Sequence, residues 1–118
     1  AYTGLYEFRE NELNTLIPQC AVGIDEIMEC VNQTGRKTIF LGDGADVFHD
    51  YIEEHCVVPY AFAPANNNKQ RAASVAALGA VMFEKGQVET AGEHKPDYLR
   101  LSQAERERQE KERDFRIC

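Results

Sequence analysis

Apolar and polar positions change period several times along the chain. From Tyr2 to Phe8 they alternate: Tyr2, Gly4, Tyr6 and Phe8 share one side, Thr3, Leu5 and Glu7 the other, the period of a strand. Arg9-Glu10-Asn11-Glu12 has the length and polarity of a hairpin connection into a second strand, Leu13-Asn14-Thr15-Leu16-Ile17. Pro18 lacks an amide donor, so the pairing should break or bulge there, with a short third strand near 19–22. The period then becomes helical. Ile24, Ile27, Met28 and Val31 form one stripe, with Asp25 and Glu26 near the positive end of the helix dipole and Gly35 placed as a C-terminal cap. Residues 37–41 predict a compact strand. A second helix carries Ala45, Phe48, Tyr51, Ile52 and Cys56, and a further strand, with Pro59 favouring an edge, covers 57–62.

A third helix is predicted from about 68 to 84, opened by the turn Pro64-Ala65-Asn66-Asn67. Its stripe of Ala72, Val75, Ala76, Gly79, Met82 and Phe83 has small residues that let a neighbouring layer approach, so this helix is expected to pack closely on a sheet, with Gly79 buried at the contact. Beyond residue 101 the texture changes again. Ser102-Gln103-Ala104-Glu105 is a capping box, and the positions after it alternate in charge with almost no apolar residue. A helix polar on every side buries no face and so projects into solvent or docks on a partner. The chain thus divides into a domain over 1–101 and a charged helical tail over 102–118. The element order suits an α/β fold: a mixed sheet with antiparallel strands at its start and helices on its faces.

At 118 residues and 43% hydrophobic content the chain is long and apolar enough for one packed domain. Its net charge of −7 opposes phosphate backbones, so direct binding of RNA by this chain is not expected. The first residues have neither the basic leader nor the apolar core of a secretory signal, and the longest uncharged runs, 56–68 and 72–83, are shorter than the ~20 residues of a membrane span. The expectation is a cytoplasmic protein with no membrane contact. Cys20, Cys30, Cys56 and Cys118 lack CxxC spacing and should be reduced thiols. A strand with no preceding cap or turn reads as the start of a fragment, Ala1 being a cloning remnant.

Candidate chemistry is sparse. Gly42-Asp43-Gly44 follows a strand and opens a helix, where α/β sheets bind ligands, but Asp43 adds negative charge where an anion would sit. His49 and His55 are six apart and share no helix face, and His94 lies in a hydrophilic stretch. Asn66-Asn67-Asn68-Lys69-Gln70-Arg71 is explained as a turn and helix start. No phosphate loop, nucleophile elbow or paired-histidine metal motif occurs. Residue chemistry therefore predicts no catalytic group, no metal and no cofactor.

Three stretches carry a resemblance: Pro96-Asp97-Tyr98-Leu99-Arg100 with Ser102-Gln103-Ala104-Glu105-Arg106 after it; the strand-turn Phe40-Leu41-Gly42-Asp43-Gly44; and the alanine-rich run from Ala72 to Gly79. In kind and order they resemble the C-terminal half of the TsaB (YeaZ) family, whose members are non-catalytic partners in bacterial synthesis of threonylcarbamoyladenosine on tRNA, next to the anticodon. The resemblance implies half of an actin-like ATPase fold, a ribonuclease-H-like unit, with a degenerate nucleotide site. Gly42, Asp43 and Gly44 would be a vestigial nucleoside-contact turn; Pro96, Tyr98, Leu99 and Arg100 would be family motif positions; Ser102, Glu105 and Arg106 would begin a partner-docking tail. It implies as partners a TsaD-like catalytic subunit and a TsaE-like ATPase, reached through the full-length protein. An older glycoprotease label attaches to the family. The alternatives are an actin-like ATPase or a glycoprotease-type metallopeptidase completed by a missing half, and a plain structural interaction module.

Overall fold

The computed structural model describes residues 1–99 and 102–117. The alternating segment forms the predicted hairpin, β1 (Tyr2–Arg9) against antiparallel β2 (Glu12–Ala21). Its tight turn places Glu10 and Asn11 at φ of 53° and 64°, the left-handed geometry that a two-residue hairpin loop requires. The short third strand is not separate: β2 runs through Pro18. The register instead slips twice, with Leu5 opposite Ile17 and Thr3 opposite Cys20, so Pro18 and Gln19 face Gly4 alone. A bulge thus absorbs the missing amide of Pro18.

Helix α1 (Ile24–Thr34) buries Ile27, Met28 and Val31, the predicted stripe, and ends on Gly35 at φ 63° as expected for a left-handed cap. Strand β3 (Thr38–Phe40) pairs in parallel with β4 (Tyr60–Phe62). Between them the expected single helix is two, α2 (Asp43–Val47) and α3 (His49–His55), meeting at Phe48, whose φ of −101° and ψ of 17° leave the helical range. The i to i−4 bonds continue across the joint, from Phe48 N–H to the Gly44 carbonyl and from Ile52 N–H to the Phe48 carbonyl.

The core lies where these elements meet: Ile27, Met28 and Val31 from α1, Ala45 from α2, Ile52 from α3, and Val58 just before β4. Asn32 fastens this corner. Its Nδ2 donates to the His55 carbonyl at 3.0 Å and its Oδ1 accepts from Val57 N–H at 2.9 Å, so one side chain satisfies two backbone groups of the loop leaving α3. Glu7 of β1 receives a hydrogen bond from Arg36 Nη1, joining the hairpin to the approach to β3. That bond, with the charges of Arg9 and Arg36, holds the Glu7 carboxyl below the usual carboxylate range against an opposing contribution from its partial cover.

Two expectations are corrected here. The strands form two separate two-stranded sheets rather than one mixed sheet. Helix α4 (Ala72–Glu84) begins four residues later than expected, and residues 71–99 are all exposed. A side chain added at Gly79 would meet nothing within 4 Å, so this glycine sits at no helix-sheet contact. Near the turn of the hairpin, Lys85 Nζ approaches Glu12 Oε1 at 3.6 Å. The start of the predicted helix is used otherwise: Ala65–Asn67 is a 3₁₀ turn that delivers Asn68 to the interior.

The tail forms the predicted helix, α5 (Gln103–Ile117). The radius of gyration is 17.9 Å, against ~13 Å for a compact chain near this length. The accessible surface is 9920 Å², where a compact monomer of this mass exposes roughly 6,500 Å². Among the described residues no helix is long and apolar enough to cross a membrane.

Candidate functional site

The site is built on the turn between β3 and α2. Gly42 has φ 99°, a conformation strained for any side chain, and it starts α2 without a side-chain cap. Asn68 supplies what the cap lacks. Its Oδ1 accepts the Gly42 N–H at 2.6 Å, and its Nδ2 donates to Asp46 Oδ1 at 2.9 Å. Next to it, Lys69 Nζ lies 3.1 Å from Asp43 Oδ1 and 3.9 Å from Asp46 Oδ2. The turn therefore spends its first amide and both of its acids on residues 68 and 69. A nucleotide phosphate here would meet two carboxylates and an amide already bonded, so the chemistry disfavours an anion.

Gly42, Asp43 and Gly44 do stand beside a cavity of about 570 Å³ between the two sheets, lined by Tyr2 to Leu5 of β1, by 38–41, and by apolar residues of α1 and α3. Its walls are largely aliphatic or aromatic, a lining suited to apolar matter.

The other predicted positions do not converge on this cavity. Tyr98 is 82% exposed, Pro96 is also exposed, and Arg100 lies outside the described residues. Leu99 and Arg106 line a second cavity with Ala1, Tyr2, Val22 and Glu26, at the end of the hairpin remote from its turn. Ser102 and Glu105 form the predicted capping box: Glu105 N–H donates to Ser102 Oγ at 3.3 Å, and Ser102 N–H donates to Glu105 Oε2 at 3.0 Å. The hydroxyl and amide of Ser102 hold the Glu105 carboxyl below its ordinary range.

Sequence reading paired His49 with His55 only to separate them, and it overlooked the acids beside His49. Asp50 Oδ1 is 3.7 Å from Nδ1 and Glu53 Oε1 is 3.8 Å from Nε2, while the ring stacks on Phe62 at 4.3 Å. One ligand atom from each of His49, Asp50 and Glu53 lies within 4.8 Å of the other two, so the three form a small cluster at the start of α3, with Asp50 and Glu53 exposed. The spacing of His49, Asp50 and Glu53 (i, i+1, i+4) was the available signal. Asn68 was also missed, because an Asn run before a helix reads as a cap rather than as a clamp on a turn 26 residues earlier.

Among known proteins, the tRNA threonylcarbamoyladenosine biosynthesis protein TsaB of Bacillus subtilis (strain 168) is 30% identical over 104 residues, 88% of this chain. This chain is similar to TsaB. The match spans 44% of the length of that TsaB, so more than half of the relative lies outside it. No family model matches the chain, and no solved structure matches it.

Proposed function

We propose that this chain is the C-terminal half of a TsaB-type protein, acting as a non-catalytic scaffold subunit of the assembly that makes threonylcarbamoyladenosine on tRNA. The observation that carries the reading is the 30% identity to TsaB across 88% of the chain. The geometry supports the non-catalytic part: the strand-helix turn, the natural ligand position of an α/β unit, has its amide and carboxylates engaged by Asn68 and Lys69. The net charge of −7 supports a protein partner rather than direct contact with RNA. The partners are a TsaD-like catalytic subunit and a TsaE-like ATPase, and the fold of the whole protein is actin-like, this half being ribonuclease-H-like.

Reconstitution tests this reading. Full-length gene product, TsaD, TsaE, tRNA and a supply of threonylcarbamoyl-adenylate are combined, and modified adenosine is measured. Modification should depend on the full-length protein and should fail when residues 1–118 replace it. Equal modification without the protein would refute the assignment.

A further inference from the structure

The scaffold reading leaves the side chains at the start of α3 without a task. His49 is the first residue of that helix, directly after the joint at Phe48. Its ring lies on Phe62 of β4, with centroids 4.3 Å apart and planes 18° apart, so a strand restrains its orientation. Glu53, one helical turn on, brings Oε1 to 3.8 Å from Nε2; Asp50 brings Oδ1 to 3.7 Å from Nδ1. Both distances are too long for hydrogen bonds. Among the described residues no Lys or Arg pairs with either acid, whereas Asp43 and Asp46 of α2 share Lys69. The imidazole can satisfy both carboxylates only while both of its nitrogens carry protons. A divalent ion satisfies the same groups with the ring neutral: Nδ1–H faces Asp50, and the lone pair of Nε2 faces Glu53.

We propose that His49 Nε2 and the Glu53 carboxylate hold a divalent transition-metal ion of the zinc, cobalt or nickel type, with Asp50 positioning the ring through Nδ1–H and water completing the coordination. Imidazole and carboxylate together are a donor set that these ions accept. Residues four apart on a helix share a face, the spacing that helical metal-binding pairs use. Adjacent ligand atoms on an ion with bonds of about 2.1 Å lie roughly 3.0–3.4 Å apart, so the exposed Glu53 side chain has only to swing in slightly from 3.8 Å. A carboxylate on the far nitrogen fixes the tautomer and makes the ligating nitrogen more basic. Two protein ligands make an open, exchangeable site rather than the closed four-ligand site of a structural zinc. The ion would clip residue 49 to residue 53 and so brace α3, a helix of only seven residues.

Zinc is titrated into the metal-free full-length gene product while the imidazole nitrogens are followed by NMR. The Nε2 signal of His49 should shift and saturate, its Nδ1 should keep its proton, and His55 and His94 should not respond. Equilibrium dialysis separates this site from the thiols of Cys20, Cys30 and Cys56: His49→Ala and Glu53→Gln should each hold one zinc fewer than the parent protein. Asp50→Asn should keep that ion but bind it about ten- to hundred-fold more weakly, the usual effect of losing a carboxylate behind a ligating histidine. No saturable response at His49 would overturn the proposal. A response that Glu53→Gln leaves unaltered would mean a lone exposed histidine taking zinc, and would overturn it equally. Loss of the ion in Asp50→Asn as complete as in Glu53→Gln would make Asp50 a ligand and refute its positioning role. These readouts involve no tRNA modification, so they stand apart from the scaffold reading.

Discussion

Helices α1 and α4 are of similar length and make opposite use of their apolar residues. In α1 the apolar positions recur on one side, Asp25, Glu26 and Glu29 take the other, and Ile27, Met28 and Val31 are buried. In α4 apolar residues occur all round, with Glu84 the only charge, and none is buried. A one-sided stripe needs only one neighbour, which this chain supplies; a helix apolar on every side belongs in an interior, which these residues do not close. The difference teaches that hydrophobicity states how much neighbour a segment requires, not whether its own chain provides it.

Substitutions that separate the two helices sharpen the comparison. The largest effect is expected at the packed corner: Ile52→Ala, at a side chain 2% exposed, should cost about 2–5 kcal/mol in urea unfolding. Val75→Ala in α4, at a residue 70% exposed, should stay within about 0.5 kcal/mol. Equal losses at the two sites would break the distinction. Next comes the clamp. Asn68→Ala strands the Gly42 amide and takes one donor from the Asp46 carboxylate, and a loss of about 1–3 kcal/mol is expected. An unchanged midpoint would mean that water replaces the amide side chain.

Gly79→Ala probes α4 from the other direction. With open space at that position, replacing a helix-interior glycine should stabilise by up to ~1 kcal/mol, seen as increased helicity and a higher melting temperature. Destabilisation would mean that a layer packs there after all.

The smallest expected effect is that of pH on the Glu7–Arg36 pair. Because the folded pKa of Glu7 is depressed, the pair's contribution is present above the unfolded Glu value of about 4.3 and disappears as pH falls through the lower folded value. An NMR titration of the Glu7 carboxyl should show its midpoint below that value, returning toward it in Arg36→Ala. An unaltered midpoint in the variant would remove Arg36 as the cause.

Local patterns were legible wherever the determining contacts are local. The alternation from Tyr2 to Phe8, the α1 stripe, the Gly35 cap and the Ser102–Glu105 box each depend on neighbours within a few residues, and each is found as read. The joint at Phe48 and the passage of β2 through Pro18 were not legible, because tertiary packing and a bulge decide them. Burial of α4 was misjudged because its stripe was read as facing a sheet, whereas all of its residues are exposed. At the candidate site the turn Gly42-Asp43-Gly44 could be placed from sequence, but its engagement by Asn68 and Lys69 arises from a contact across 26 residues that no local pattern carries.

The most direct test of the account is a nucleoside measurement. Total tRNA from cells depleted of the full-length gene product is digested, and threonylcarbamoyladenosine is quantified by mass spectrometry. The account expects the modification to fall on depletion, to return when the full-length gene is restored, and to stay low when only residues 1–118 are supplied. A level of modified adenosine unaffected by depletion would contradict it.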